Sequence, residues 1–208
     1  FESMVDSAKS TYIFGSGSTA KREKAIYINK EKNTVETISL NYLFDSMKSF
    51  SEIKSEDFNI EGATFFNDEW YFLNRGNGPN NKNVLFTVQG NNLIDDFNLF
   101  YNDFELPKIN NQATGFSDAT IVNGKLYFIA TAENSKSTYD DGAVGGTLFG
   151  CINLKKMKIE YTQIISNINK FEGITLFHLD KKNATFLLCE DTDSNQLESQ
   201  IYKLDVKL

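Results

Sequence analysis

The apolar residues of this chain fall in short runs, many alternating with polar residues, and Asn, Asp and Gly separate the runs about every ten residues. Alternation with a period of two, in segments rich in Phe, Tyr and Ile, predicts β-strands joined by tight turns. A helical pattern is found only in the linker 41–59, where Tyr42, Leu43 and Met47 predict one short helix. The pattern therefore predicts an all-β protein.

One opening pattern recurs four times along the chain. Each copy places an acidic residue at the start of an apolar strand, in residues 1–5, 60–64, 117–121 and 171–175. These acidic residues are separated by 59, 57 and 54 positions, and they are Glu2, Glu61, Asp118 and Glu172. A near-constant period of this size is typical of a repeat architecture, and its length suits a four-stranded blade with generous loops.

The same series of predicted strands follows each opening. A turn comes first, and Asn123-Gly124 is a strong hairpin signal among these turns. An aromatic-led second strand, a polar loop and a third strand follow, and the first three copies add a fourth strand. These fourth strands are predicted at 34–40, 93–99 and 158–164, and residues 102–115 are predicted to be loop.

The repeats predict a single β-propeller domain over residues 1–208, with about four recognisable four-stranded blades at about 1–59, 60–116, 117–170 and 171–208. The last copy stops after its third strand, so we expect the missing strand upstream of Phe1, in a larger propeller of about five or six blades. A β-sandwich is the rival fold, but it does not explain an acidic position that recurs four times.

Charge and composition exclude several classes of partner. The net charge is −7 and the pI about 4.8, whereas nucleic acids and anionic membranes require basic surfaces. No apolar stretch approaches the roughly 18 residues of a membrane span. A small polar ligand, a cation or another protein remains as the expected partner, and the residues do not indicate a cellular compartment.

The reactive side chains are few. Cys151 and Cys189 are the only cysteines, and each lies in an apolar run, which favours two buried free thiols over a disulfide. His178 is the only histidine and lies in an alternating strand pattern. This argues against a zinc site of the usual kind and against a Ser-His-Asp triad.

The repeat predicts where a site lies. In a propeller blade, the start of strand one and the loop between strands two and three lie on the same face. The four acidic residues should therefore ring one mouth of the central channel, beneath the loops 15–19, 74–78, 131–146 and 190–193. The candidate ligand-binding residues in these loops are Asn74, Arg75, Asn77, Glu190 and Asp191.

Three interpretations of this acidic ring remain open. Two carboxylates about 7 Å apart repel by about 2 kcal/mol at an effective dielectric constant near 20, so the ring needs compensation. Each carboxylate could cap backbone N–H groups of the adjacent blade, with no ligand involved. Alternatively, Glu2, Glu61, Asp118 and Glu172 hold a hard cation, Ca²⁺ first, or Glu61 and Glu172 act as catalytic carboxylates.

Two further features bear on the site. Arg75 either neutralises the carboxylates or binds a carboxylate or phosphate of a ligand. The Asp-Asp-Gly sequence within residues 139–142 is either a calcium ligand or a plain turn, because it lacks the remaining spacing of an EF-hand loop.

Several motifs together resemble an uncharacterised family of bacterial β-propeller proteins, over essentially the whole chain. They are FGSGST at 14–19, Glu61-Gly62 with the loop 74–77, YDDG at 139–142, and Phe171-Glu172-Gly173 with Glu190-Asp191. More distantly, the acidic openings are similar to phytase-like esterase and gluconolactonase-type propellers. That resemblance implies calcium at the channel mouth, held by Glu2, Glu61, Asn74, Asp118 and Glu172.

Two functional hypotheses follow, with a structural scaffold as a third. The first is an uncharacterised propeller that binds a small polar ligand or a cation at its acidic mouth. The second is a calcium-dependent hydrolase of an ester, a lactone or a phosphoester, in which the ion polarises the substrate or activates water.

Overall fold

A computed structural model describes residues 1–77, 80–133, 144–192 and 198–208. Within these ranges the chain forms four antiparallel sheets, each of which takes its strands in sequence order. Such meanders are the blades of a β-propeller, so the predicted all-β propeller class is confirmed. No helix in these ranges is long and apolar enough to span a bilayer.

The first two sheets have four strands each. Sheet one contains β1 (Ser3–Asp6), β2 (Ser10–Phe14), β3 (Lys24–Asn29) and β4 (Thr34–Ser39). Helix α1 (Asn41–Ser51) follows it, and two short 3₁₀ turns occur at Ala20–Arg22 and Ser55–Asp57. Sheet two contains β5 (Ile60–Phe66), β6 (Glu69–Asn74), β7 (Asn83–Gly90) and β8 (Phe97–Phe104).

The last two sheets differ in their number of strands. Sheet three contains β9 (Thr114–Val122), β10 (Lys125–Glu133), β11 (Val144–Asn153) and β12 (Lys158–Ser166). Sheet four contains β13 (Phe171–Leu179), β14 (Asn183–Glu190) and β15 (Ile201–Lys207), which agrees with the prediction that the last copy stops after its third strand.

The chain divides into two compact units. The N-terminal unit comprises Phe1–Glu105 and contains sheets one and two, whereas the C-terminal unit begins at Leu106 and contains sheets three and four. In the N-terminal unit β1 packs beside β5, and in the C-terminal unit β9 packs beside β13. The first strands of consecutive sheets are therefore neighbours within each unit.

Aromatic side chains fill the core of the N-terminal unit. The rings of Phe14 and Phe72 meet edge to face with centroids 5.1 Å apart, a favourable geometry for aromatic pairs. The predicted helix is confirmed as α1, which buries Leu43, Phe44 and Met47 because these residues share one helical face. Its Phe44 ring lies 5.3 Å from that of Phe58, so the helix is part of the core.

The C-terminal unit has a comparable aromatic core. Tyr127, Phe149 and Phe186 contact one another, with centroids 5.3 to 5.8 Å apart. On the face of sheet three opposite to Tyr127 and Phe149, Gly150 leaves room for the ring of Phe128. A Cβ atom at Gly150 would lie 2.3 Å from Phe128 Cζ. Glycine at this position is therefore a packing requirement.

Tight turns fix the register of the hairpins. Asn67 and Asp68 both have positive φ, at 51° and 62°, and Asn123 and Gly124 have φ of 53° and 73°. Two consecutive residues with positive φ form the turn that best matches the twist of a two-residue hairpin. The hairpin predicted at Asn123-Gly124 is confirmed.

Several predicted boundaries are wrong. The fourth strand of sheet two is Phe97–Phe104 and not 93–99, because Asn92 Oδ1 accepts the N–H of Ile94 at 2.7 Å and holds this segment in a turn. Strand β9 starts at Thr114, inside the predicted loop 102–115.

Both cysteines are free as predicted, but Cys189 is exposed and only Cys151 is buried.

Truncating the C-terminal core should be costly. Phe186→Ala removes a fully buried ring that contacts two other aromatic residues, so we expect it to lower the free energy of unfolding by about 3–5 kcal/mol. Urea denaturation followed by circular dichroism measures this, because the single tryptophan, Trp70, lies in the N-terminal unit. The matched control is Phe177→Ala, whose ring is 62% exposed and should cost less than about 1 kcal/mol.

Candidate functional site

Two of the predicted acidic residues occupy β-bulges at the start of strand one. In β5, Ile60 pairs with Asn74 and Gly62 pairs with Leu73, so Glu61 is the extra residue between them. In β13 the pairing skips Glu172 in the same way, between Phe171 and Gly173. A bulge changes the direction of a side chain relative to the regular pleat. In sheets two and four the repeat therefore directs one glutamate out of the ordinary alternation.

The third acidic residue does not share this position. In β9 the bulged residue is Ser117, and Asp118 pairs with Ile129. Asp118 thus occupies the position that glycine takes as Gly62 and Gly173. The prediction that Asp118 is equivalent to the glutamates is wrong by one residue. Alignment on the downstream Ala-Thr pair, which follows both Gly62 and Asp118, would have revealed the shift.

Asp118 links the first strands of two neighbouring sheets in the C-terminal unit. Its Oδ2 accepts the backbone N–H of Ile174 in β13 at 2.9 Å. The pKa of Asp118 is raised to about 7. Burial is the main cause and the charge of Glu172 adds to it, whereas the backbone hydrogen bonds from Ile174 and Ala119 lower the pKa. For Asp118, the arrangement matches the interpretation in which a carboxylate caps the adjacent blade.

Glu61 is held in a buried ion pair. Glu61 is 8% exposed and Arg75 is 4% exposed, and Arg75 Nη1 lies 3.7 Å from Glu61 Oε1. Asn59 Nδ2 donates to the same oxygen at 2.6 Å. Removing two charges from water is costly, and such a pair is tolerated because each charge compensates the other. The contact favours the neutralising role for Arg75.

The other two glutamates also contact cationic side chains. Lys170 Nζ lies 3.6 Å from Glu172 Oε1, and Lys170 is itself buried. At the surface of the N-terminal unit, Arg22 Nη1 donates to Glu2 Oε1 at 3.2 Å. Each predicted ring glutamate therefore has a local counter-charge, which reduces the repulsion expected from the sequence.

Asn74 shapes the loop that carries Arg75. Its side chain is fully buried, with Oδ1 accepting the N–H of Asn59 at 2.8 Å and Nδ2 donating to the carbonyl of Lys82 at 2.9 Å. Asn83 Oδ1 accepts the N–H of Gly76 at 2.9 Å. Both ends of the loop are therefore fixed by asparagine side chains, and Asn74 is a positioning residue more than a surface for a ligand.

Asn77 lies two residues after Arg75 in this loop, and its hydrogen bonding is incomplete. The Asn77 Oδ1 atom is buried and accepts no hydrogen bond within the described ranges of the chain. Buried side-chain polar atoms in native proteins almost always have a partner, so each exception calls for an explanation. A ligand that supplies a donor is one such explanation.

Glu190 and Asp191 have structural contacts in the C-terminal unit. The carboxylate of Glu190 accepts from Asn169 Nδ2 at 2.8 Å and from the Tyr202 hydroxyl at 2.7 Å. The hydrogen bond to Glu190 raises the pKa of Tyr202. The backbone N–H of Asp191 donates to the carbonyl of Lys170 at 3.0 Å. These contacts tie the start of the 190–193 loop to the segment before β13 and to β15.

Some predicted features cannot be placed. The Asp-Asp-Gly sequence within 139–142, Gly78 and Asp193 lie outside the described residues. The four-carboxylate ring also stays a prediction, because Glu2 and Glu61 belong to the N-terminal unit whereas Asp118 and Glu172 belong to the C-terminal unit.

The predicted calcium site is not assigned to any set of residues. Across the ranges that the structure describes, no three His, Cys, Asp or Glu side chains lie close enough together to hold a metal ion. The carboxylate oxygens of Glu61 and Glu172 instead face Arg75 and Lys170. This donor set does not fit the six to eight oxygen ligands that Ca²⁺ takes.

Three residues of these clusters were missed by the sequence analysis. Asn59 and Lys170 each lie two positions before a bulge glutamate and contact its carboxylate. The signal was present as a polar residue at i and a glutamate at i+2, a spacing that places two side chains on one face of an extended segment. Arg22 was missed because its contact with Glu2 joins distant positions in the sequence.

The fold defines the class of the protein as a β-propeller. A crystal structure of xylan β-1,4-xylosidase from Bacillus halodurans C-125 is similar to it, with a TM-score of 0.53 and 12% sequence identity, over 98% of this chain and 39% of the xylosidase chain. At this identity the likeness concerns the fold alone. The chain thus spans well under two thirds of the enzyme it matches.

The sequence places the protein more closely. Residues 1–206 match the model of a family of unknown function, DUF6929, and the chain belongs to that family. No curated protein matches the sequence.

The buried pair of Glu61 and Arg75 should contribute measurably to stability. Arg75→Ala leaves the Glu61 carboxylate without its counter-charge, so we expect the free energy of unfolding to fall by about 3 kcal/mol. The matched control is Arg22→Ala, whose partner Glu2 lies at the surface and whose loss should cost less than about 1 kcal/mol. Equal losses in the two variants, measured by urea denaturation, would contradict the buried pair.

Asp118 should make stability depend on pH. Its pKa is about 7 in the folded protein and near 3.8 when unfolded, so the folded state holds the proton more tightly. The stabilisation that Asp118 contributes is therefore fully present below its unfolded pKa of 3.8 and is lost as the pH rises through its folded pKa of about 7. We expect wild type to lose on the order of 2 kcal/mol between pH 5 and pH 8 relative to Asp118→Asn.

The control for this pH effect is Asp68→Asn, an exposed turn position with positive φ that asparagine tolerates. It should follow the wild-type pH dependence. Parallel curves for wild type and Asp118→Asn in urea titrations across this range would show that Asp118 titrates normally.

Proposed function

We propose that this protein is a non-catalytic binding propeller that takes a small polar ligand at the Arg75–Asn77 loop of its N-terminal unit. The observation that supports this most directly is the buried Asn77 Oδ1, which accepts no hydrogen bond from the described residues. A ligand hydroxyl or N–H group would supply the donor that this oxygen lacks.

Hydrogen bonds at the described ends of the loop favour recognition. Asn74 and Asn83 hydrogen-bond the backbone of Asn59, Lys82 and Gly76, and Asn80 donates its N–H to Asp57 Oδ1 at 3.3 Å. Residues held in this way lose little conformational entropy when they bind a ligand. The neighbouring Arg75 is already paired with Glu61, so the loop suits an uncharged ligand that carries hydroxyl groups.

The carboxylates favour binding over catalysis. A general base must reach the proton it abstracts, and its carboxylate must be available to the substrate. Glu61 contacts Arg75 and Asn59, and Glu172 contacts Lys170. Asp118 accepts the backbone N–H of Ile174. These contacts support a role for the carboxylates in holding the strand ends.

A ligand screen tests the proposal. Isothermal calorimetry against monosaccharides, xylo-oligosaccharides, polyols and small hydroxy acids should identify a binder, because all of these offer hydroxyl donors. Asn77→Ala should weaken that binder by about tenfold, the value of one good hydrogen bond. The control Asn98→Ala changes an exposed asparagine of β8 and should leave the affinity unchanged.

Two results would overturn the proposal. One is the absence of any binder in a panel that also includes anionic and N–H-bearing compounds. The other is a binder whose affinity is the same in wild type and Asn77→Ala, since binding would then lie elsewhere.

A separate experiment tests the alternative that the protein is a calcium-dependent hydrolase. Calcium calorimetry is run on wild type, Glu61→Gln and Glu172→Gln, followed by turnover assays with lactones, aryl esters and phosphoesters. Turnover that a chelator abolishes, together with calcium binding lost in both variants, would replace the binding proposal by the hydrolase. We expect no chelator-sensitive turnover.

A further inference from the structure

Lysines gather at one end of the C-terminal unit. In sheet three, Lys125 pairs with Asn153 and Asn153 pairs with Lys158, so the three residues form one row across the ends of β10, β11 and β12. Sheet four turns at the same end, because Val122 at the end of β9 and Ala184 near the start of β14 share one core cluster. The turns at this end add four exposed lysines, which are Lys155, Lys156, Lys181 and Lys182. These four and the two lysines of the row define the lysine face.

Little of this positive charge is neutralised locally. Glu160 Oε2 lies 2.6 Å from Lys125 Nζ, and Asp180 Oδ1 accepts the backbone N–H groups of Lys182 and Asn183. Within the described residues, none of the other five lysines of the face forms a salt bridge. Six lysines against these two carboxylates leave an excess of four positive charges.

The corresponding turns of the N-terminal unit lack this excess. In sheet one, Lys30 Nζ lies 2.7 Å from Asp6 Oδ1, and Lys9 Nζ lies 3.9 Å from Glu31 Oε1. In sheet two, the turn at residues 91–96 contains two aspartates and no lysine. The net charge of −7 is therefore an average over an uneven surface and does not describe the lysine face.

The turn between β11 and β12 holds a methionine in an unusual backbone conformation. Met157 has φ of 47°, in the left-handed region that glycine and asparagine favour. In sheet one the same turn has Asn33 at this position, with φ of 53°. In both turns an asparagine side chain accepts the N–H of the preceding residue. Sheet three thus keeps a partly exposed apolar side chain among three lysines, where asparagine would suit the backbone better.

We propose that the lysine face docks on a lipid bilayer that carries anionic headgroups, with Met157 in contact with the interfacial region. The negative potential of such a surface attracts lysines, each of which adds about a fivefold factor in affinity. Leu154 and Met157 are partly exposed beside these lysines, and apolar side chains that enter the interface add to the attraction.

The composition of the face favours lipid over nucleic acid. Phosphate recognition in nucleic acids favours arginine, whose planar guanidinium binds phosphate through two parallel hydrogen bonds. The only arginines of the chain are Arg22 and Arg75, and both belong to the N-terminal unit. A methionine among the lysines gains nothing from a phosphate backbone, whereas the acyl boundary of a bilayer accommodates it.

The glutamates at the other end of sheet four are screened from a bilayer at the lysine face. Glu172 lies seven positions before Leu179, and Glu190 lies seven positions after Asn183. At the rise of a strand, seven positions span about 23 Å. Exposed charges farther apart than about 8–10 Å are largely screened at physiological ionic strength. The lysine face therefore acts as a separate positive surface.

Vesicle co-sedimentation of the purified protein tests the proposal. Vesicles of phosphatidylcholine with and without phosphatidylglycerol are compared at equal total lipid. We expect wild type to bind only the anionic vesicles, and to be released at about 1 M salt, where the Debye length falls to about 3 Å. Lys155→Gln/Lys158→Gln should weaken this binding about 25-fold, because each lysine contributes about a fivefold factor.

A substitution of Met157 separates a role in binding from a role in the fold. Asparagine suits the positive φ, so Met157→Asn should be at least as stable as wild type in urea denaturation. Its affinity for the anionic vesicles should nevertheless fall by at least about fourfold, the factor for one methylene group that leaves the interface. An unchanged affinity would overturn the contact assigned to Met157.

Two control variants match these changes. Lys32→Gln/Lys54→Gln removes the same charge from two exposed lysines of the N-terminal unit, and Ile94→Asn removes an exposed apolar side chain from a turn of sheet two. Both should bind the anionic vesicles like wild type. Equal losses in the controls and in the variants of the lysine face would place the binding elsewhere and overturn the proposal.

Three further results overturn docking on lipid. The first is wild type that does not bind the anionic vesicles, whether or not it binds double-stranded DNA in a parallel assay. The second is equal binding to vesicles with and without phosphatidylglycerol. The third is release by inorganic phosphate at constant ionic strength, since the lysines would then hold a small anion.

Discussion

The fold requires a compensating partner for each charged side chain that is buried near the start of a first strand. The ion pair of Glu61 and Arg75 is the clearest instance, because both groups are almost completely removed from water. A single buried charge there would be prohibitive, whereas the pair, with Asn59 as an additional donor, is tolerated. The bulge that carries Glu61 turns the side chain toward these partners.

In two other sheets the side chain at the same strand position contacts a different kind of partner. Glu172 faces the buried Lys170, and Ser117 takes the bulge of β9, where its hydroxyl lies 2.9 Å from that of Thr131. The acidic group in β9 is displaced by one residue to Asp118, which accepts a backbone N–H from the next sheet. A repeated backbone feature thus tolerates different chemistry as long as each polar group is compensated nearby.

The proposed ligand site lies in the loop after β6. The side chains of Asn74 and Asn83 hold its two described ends, next to Arg75 and Asn77. A loop positioned by a rigid sheet scaffold is a common place for binding groups.

The sequence by itself determined the strand repeat, the four copies, the short helix and the Asn123-Gly124 hairpin. These features are local, because alternation, turn residues and helical spacing act within a few positions. It also located the bulge glutamates and the loop of Arg75. Only the tertiary structure decided that Asp118 accepts a backbone N–H from the next sheet, that Cys189 is exposed, and which cations face Glu61 and Glu2. These outcomes depend on pairing and burial between segments distant in the chain, and no local pattern encodes a distance between such segments.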